Sequence, residues 1–267
     1  MPILARGGLK IDFSDDGSGE TVVLIHSSVS GNRQWKRLIQ ELKDRFRVLA
    51  PNLYGYGETT PWQEDGTQTL ADHVTLIETI CDSIHGPIRL VGHSFGGAVA
   101  LKVAANLGER VSHLALYEPN PFYLLDLDGR AEAFSEAMAL HDDVKALGKK
   151  GDWMALAERF AEYFSGDGSW VQMPAERQVA FAKLLLPNYY EWDCVQSDVT
   201  TVGVFAKLRA KTLLISGANT RLALREIADL FRATCPHWTF VTIPEAGHMA
   251  PLTHPDLVNP IVKHFLG

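Results

Sequence analysis

The chain lacks most of the features that would take it out of the ordinary globular classes. Cysteine is scarce: Cys81, Cys194 and Cys235 are the only three in 267 residues, odd in number and far apart. Such a set supports neither a disulfide framework nor a paired-cysteine zinc site, and Cys81 and Cys235 are expected as core thiols. No apolar stretch reaches the roughly 20 residues of a membrane-spanning helix. The first eight residues, Met1 to Gly8, lack the apolar run of a secretory signal. The expected compartment is therefore the cytosol. No basic run stands out and the formal net charge is −7, which disfavours nucleic acid as a partner. There is no Walker-type phosphate loop and no His-x-x-x-His, so neither a metal nor a cofactor is expected. Internal repeats and low-complexity tracts are also missing.

What remains is a composition with 46% hydrophobic and 21% charged residues, enough for one large α/β domain with room for an inserted subdomain. Short apolar runs alternate with helical patterns. Leu9–Phe13 alternates at period two, as an edge strand would; Thr21–Ile25, Arg47–Ala50, Ile88–Val91, Leu114–Tyr117, Thr212–Ser216 and Trp238–Ile243 are the other expected strands. Helices are expected at Trp35–Leu42, Thr69–Ile84, Gly97–Ala105, Arg221–Ala233 and Asn259–Phe265. This order implies a mostly parallel sheet covered by helices on both faces, with sites gathered at the carboxyl ends of the strands. From Asn120 to Leu208 the rhythm breaks. Ala131–Leu140, Trp153–Phe164 and Ala175–Leu186 read as helices, with breaks at Gly166-Asp167-Gly168 and Pro187-Asn188. A helical cap inserted into the α/β core is expected there.

Gly92-His93-Ser94-Phe95-Gly96 fits G-x-S-x-G, a sharp strand-to-helix turn that exposes a serine as nucleophile. A serine hydroxyl is a weak nucleophile unless a base lies within hydrogen-bond reach and an acid orients that base. Among ten histidines, His248 has the fitting context: a loop after the last strand, beside Gly247 and late in the chain. His254, flanked by Pro255, reads as structural. His93 lies inside the turn but faces away from Ser94.

With turn, cap and alternation together, the chain resembles the α/β-hydrolase family over nearly its whole length. His26-Ser27-Ser28-Val29-Ser30-Gly31 stands where that family has its oxyanion loop, Ala50-Pro51-Asn52-Leu53-Tyr54-Gly55-Tyr56-Gly57-Glu58-Thr59 is similar to its Pro-Asp-x-x-Gly-x-Gly-x-Ser loop, and Ala246-Gly247-His248 stands where it has its catalytic histidine. The resemblance implies a core from residues 1–119 and 209–267 and a cap from 120–208. It also implies backbone oxyanion donors at Phe95 and Ser28, although Ser27 replaces the usual glycine. The acid departs from the pattern. Where most members carry an aspartate, this chain has Gly217-Ala218-Asn219-Thr220. Either the triad is crippled or the carboxylate comes from another strand. Glu118, at the end of Leu114–Tyr117, is the favoured source, because some α/β-hydrolases, notably a group of haloalkane dehalogenases, place a glutamate at that point of the fold. A role for Glu118 in tying down loop backbone, and Asp193 or Asp198 as acids, are the weaker alternatives. Cap aromatics are candidates for a substrate pocket, Phe122 and Tyr123 first because they follow the acid loop.

The implied function is a cofactor-independent serine hydrolase of small or medium carboxylic esters or lactones, working through an acyl-enzyme. The alternatives are hydrolysis of a carbon–carbon bond in ring-cleavage products and a non-catalytic ligand-binding protein on the same scaffold.

Overall fold

A computed structural model describes residues 2–63 and 66–267. Its eight strands are β1 (Ile3–Arg6), β2 (Leu9–Asp16), β3 (Thr21–Ile25), β4 (Arg47–Pro51), β5 (Ile88–His93), β6 (Val111–Tyr117), β7 (Lys211–Gly217) and β8 (Thr239–Ile243). They form one sheet in the order β1-β2-β4-β3-β5-β6-β7-β8. The β1–β2 and β2–β4 pairs are antiparallel and the remainder parallel. Leu9–Phe13 is thus not the edge of the sheet: β1, too short and exposed to show an apolar pattern, pairs along it and takes that position.

Each central strand feeds two cores by its alternation. Val23 and Ile25 of β3 face one cluster, and Val22 and Leu24 face the other, as the two-residue period of a strand requires. The first cluster packs under α2 (Leu70–Cys81), α3 (Phe95–Leu107) and α11 (Leu222–Thr234), and the second under α1 (Lys36–Leu42) and α13 (Pro255–Leu266). Strands sandwiched in this way are apolar throughout: all five residues of β3 are buried.

After β6 the chain leaves the sheet and returns only at β7. Between them lie α4 (Tyr123–Leu127), α5 (Ala131–Lys150), α6 (Trp153–Ser165), α7 (Ser169–Gln172), α8 (Ala175–Lys183), α9 (Leu185–Ser197) and α10 (Val202–Phe205). α5 to α9 build the helical cap. The turn at Gly166-Asp167-Gly168 separates α6 from α7, with Gly166 and Gly168 at φ 95° and 79°. Pro187-Asn188, in contrast, does not interrupt a helix. Pro187 is the third residue of α9, in the first turn, where a missing N–H breaks no helical bond. The short α12 (Ala250–Thr253) leads into α13.

The chain runs from β3 out to β4 and comes back to β5 on the other side of β3. Such a reversal opens a crevice at the carboxyl ends of the two adjacent strands, and the loops after β3 and β5 meet there.

Candidate active site

Ser94 forms the turn between β5 and α3 with φ 54° and ψ −120°, a left-handed conformation that a side chain adopts only when its surroundings enforce it. A Cβ at Gly96 would collide with the carbonyl oxygens of Ile25 and His26, so only glycine lets α3 start this close to β3. The Ser94 N–H donates to the Tyr117 carbonyl at 3.0 Å, which ties the turn to the next strand.

His248 follows β8. Its backbone is held on three sides: the Tyr117 hydroxyl donates to the Gly247 carbonyl at 2.7 Å, the Asn219 N–H to the Ala246 carbonyl at 2.9 Å, and the His93 Nε2–H to the His248 carbonyl at 2.9 Å. His93 therefore supports the base from below and does not face Ser94. The Phe164 ring of α6 covers the imidazole, with centroids 4.7 Å apart. In this setting the Ser94 hydroxyl donates to His248 Nε2 at 2.9 Å, and His248 Nδ1–H donates to Glu118 Oε2 at 2.7 Å. All three residues are buried.

Glu118 sits at the end of β6 with φ 40°. Oε1 accepts from the Gly217 N–H at 2.7 Å, and Oε2 accepts from the Thr220 hydroxyl at 2.8 Å as well as from His248. Thr220, at the position where the family pattern has aspartate, serves the carboxylate that replaces it. Asp193 and Asp198 lie elsewhere, paired with Lys145 and Lys102. This is the geometry of a serine-hydrolase triad: a nucleophile, a base on it and a buried carboxylate fixing the tautomer of the base.

The loop after β3 has its own framework. Gln34 Oε1 accepts from the Ser27 N–H at 3.1 Å and from the hydroxyls of Ser27 and Ser30 at 2.8 Å each, and its amide donates to His93 Nδ1 at 3.0 Å. The Ser27 hydroxyl thus turns toward Gln34, and Ser27 is not part of the wall around Ser94. His26 Nδ1–H donates to the Ser27 carbonyl and Nε2 accepts from the Leu53 N–H; burial pushes its pKa down to about 4. Val29, at φ 60°, donates its N–H to the Tyr56 hydroxyl. The Ser28 hydroxyl donates to Glu191 Oε2 on α9, which also accepts from the Tyr56 hydroxyl at 3.2 Å. Burial raises the Glu191 carboxyl to about 7, and the hydrogen bonds from Ser28 and Tyr56 offset only part of that effect.

The cavity at Ser94 measures only about 10 Å³ and is walled by Ser28, Phe95, Asn120, Phe160, Phe164, Asn188, Glu191, Trp192 and Val195. A space of that size holds about one water, so α6 and α9 close over the nucleophile in this conformation. A larger, open hollow of about 470 Å³ is bordered by His248, Phe164, Thr220 and Met249. Phe122 and Tyr123 are placed differently from the sequence expectation. Both are core residues, 1% and 2% exposed, and neither borders the Ser94 cavity. Phe122 stacks on Trp192, with centroids 5.5 Å apart, so Trp192 faces the cavity in its place. Phe164 and Trp192 are among the cap aromatics expected as pocket candidates, whereas Asn188, Glu191 and Val195 were not anticipated. The i, i+3, i+4, i+7 spacing of Asn188, Glu191, Trp192 and Val195 on one helix face is the signal that groups them. Among the described residues no group of three or more His, Cys, Asp or Glu side chains could hold a metal ion.

The alpha/beta hydrolase family matches residues 22–261, and the chain belongs to that family. It is 30% identical over 279 aligned residues to a cis-3-alkyl-4-alkyloxetan-2-one decarboxylase of Shewanella oneidensis, covering 98% of this chain and 87% of that one. It is 27% identical to the lipase LipV of Mycobacterium tuberculosis, covering 92% and 93%. Among solved structures, an alpha/beta hydrolase from a Medee basin deep-sea metagenome superimposes with a TM-score of 0.84 at 15% identity, covering 100% of this chain and 97% of that one.

Proposed function

We propose that the protein is a carboxylic ester hydrolase acting on small or medium esters or lactones through an acyl-enzyme. The observation that carries this is the continuous line from Ser94 Oγ through His248 to Glu118, at 2.9 and 2.7 Å. Ser94 attacks the carbonyl carbon as His248 Nε2 takes the hydroxyl proton. The backbone N–H groups of Phe95, at the N-terminus of α3, and of Ser28 stabilise the oxyanion. Imidazolium then protonates the departing alcohol, and His248 activates a water that releases the acid. Glu118 holds Nδ1 protonated throughout and stabilises the imidazolium.

A relative with a lipase name supports ester chemistry, and a relative named as a decarboxylase of an oxetan-2-one, a small cyclic ester, supports a lactone as a substrate class. The alternative of a silent binding protein rested on the missing aspartate, and Glu118 now occupies that role at His248. We place the enzyme in the cytosol, where Cys81, Cys194 and Cys235, all buried and free, stay reduced. Among the described residues no helix is long and apolar enough to cross a membrane.

A fluorophosphonate probe should label Ser94 one to one, and p-nitrophenyl acetate or butyrate should turn over. Protein that is folded, unlabelled and inert toward an ester and lactone panel would refute the assignment.

A further inference from the structure

Four side-chain atoms of residues that wall the Ser94 cavity have no hydrogen-bond partner among the described residues: Oε1 of Glu191, the Oδ1 atoms of Asn188 and Asn120, and Nε1 of Trp192. Glu191, Asn188, Asn120 and Trp192 are 2%, 3%, 7% and 3% exposed. Buried polar atoms are almost always satisfied, and exceptions gathered in one place point to a missing partner. The three oxygens call for a donor; the Trp192 N–H on the same wall calls for an acceptor, and a hydroxyl is both. Apart from Ser28 and Ser94, the rest of the wall is carbon, from Phe95, Phe160, Phe164, Val195 and the Trp192 ring.

We propose that Glu191, Asn188 and Asn120 form a subsite that selects esters whose acyl group carries a hydroxyl or an ammonium close to the scissile carbonyl. The inference deepens the ester-hydrolase assignment and rests on it. The geometry favours the acyl side for a simple reason. His248 must protonate the leaving alcohol, so the alcohol lies toward His248 and the open hollow that it borders. The cavity that holds the three acceptors does not have His248 in its wall. Proximity to the carbonyl follows from Ser28: its amide belongs to the oxyanion site, and its hydroxyl donates to Glu191 Oε2. A carboxyl raised to about 7 by burial accepts from a hydroxyl in either protonation state and becomes a full counter-ion when an ammonium enters.

The test compares p-nitrophenyl butyrate, 3-hydroxybutyrate and 3-aminobutyrate as substrates of the wild type, Glu191→Gln and Glu191→Leu. Wild-type kcat/KM should favour at least one of the two donor-bearing esters by about ten-fold or more, since buried acceptors left unpaired penalise the plain analogue. Glu191→Leu should abolish or reverse that preference. Glu191→Gln should lose preference for the ammonium and keep part of that for the hydroxyl. A preference for the hydroxy ester alone marks a neutral donor site, and one for the amino ester alone marks a cation site. Equal kcat/KM on all three esters in the wild type, or a preference unchanged in Glu191→Leu, overturns the proposal while leaving the hydrolase assignment intact. If Glu191→Leu fails to fold, Asn188→Leu replaces it with the same expectation. Calorimetric binding of the intact esters to Ser94→Ala reads the same selectivity without turnover, so failure of catalysis and failure of recognition stay separate.

Discussion

At the scale of single residues, the decisive pair is Glu118 and Thr220. The Thr220 hydroxyl donates to the same oxygen of Glu118 that accepts from His248, Oε2 being 2.7 Å from His248 Nδ1 and 2.8 Å from the Thr220 hydroxyl. Glu118→Gln keeps the shape but can hold the wrong imidazole tautomer, and kcat should fall by about 10³–10⁴ with little change in KM. In that background Thr220→Asp should recover at least about ten-fold, because a carboxylate at 220 supplies the lost charge to the imidazole. Steady-state kinetics on p-nitrophenyl butyrate reads both, and a double variant no faster than Glu118→Gln would show that position 220 cannot serve the base. Ser94 and His248 were legible in the sequence because each is encoded locally, by glycines around a strained turn and by a loop after a strand. Glu118 was legible only through the gap at Thr220. Glu191 was not legible at all: it stands in an ordinary polar-apolar helix, and its role arises only when α9 folds down over Ser28.

At the scale of elements, the position of α9 depends on its fit against α5. Gly148 of α5 packs on the ring of Tyr189, and a Cβ there would come within 2.9 Å of Cε2 and closer still to Cδ2. Tyr189 adjoins Asn188 and lies two residues before Glu191, so the contact sets how deep the acceptors reach. Gly148→Ala should destabilise the fold by about 1–3 kcal/mol through overpacking, read as a lower urea midpoint, despite alanine's better helix propensity. A midpoint equal to or above the wild type would mean that α9 yields freely to pressure from α5. The alternation of strands and helices was plain in the sequence because buried parallel strands are apolar throughout and the covering helices are amphipathic. β1 escaped notice because an exposed four-residue strand carries no such pattern. The helix start at Leu185 was obscured by Pro187, whose usual meaning as a breaker reverses in a first turn.

At the scale of the whole molecule, three buried histidines stay neutral. Burial holds the pKa of His26 at about 4, of His73 at about 3 and of His93 well below its ordinary value. In the unfolded chain each takes a proton near pH 6.5. Their contribution to stability is therefore complete above about 6.5 and is lost as the pH falls toward the folded values. Glu191 acts with the opposite sign: its raised pKa of about 7 favours folding below the unfolded value of 4.5 and disfavours it as the pH rises through 7. His73 isolates the histidine effect. Neither ring nitrogen has a hydrogen-bond partner among the described residues, and its ring lies edge-on to Tyr54 and Phe95. His73→Phe should match or exceed wild-type stability at pH 8, and its advantage should widen at pH 5. Urea midpoints across that range check this, and an advantage independent of pH would contradict a neutral, buried imidazole.

Both the nucleophile and its remote carboxylate are in place by residue 118, before the backbone departs on its long excursion through the lid. Only the imidazole arrives afterwards, on a loop braced by Tyr117 and His93, which also precede the excursion. Variants of this chain are thus free to lengthen, shorten or exchange the roof and so acquire new selectivities, while the charge supporting the base stays anchored in the floor.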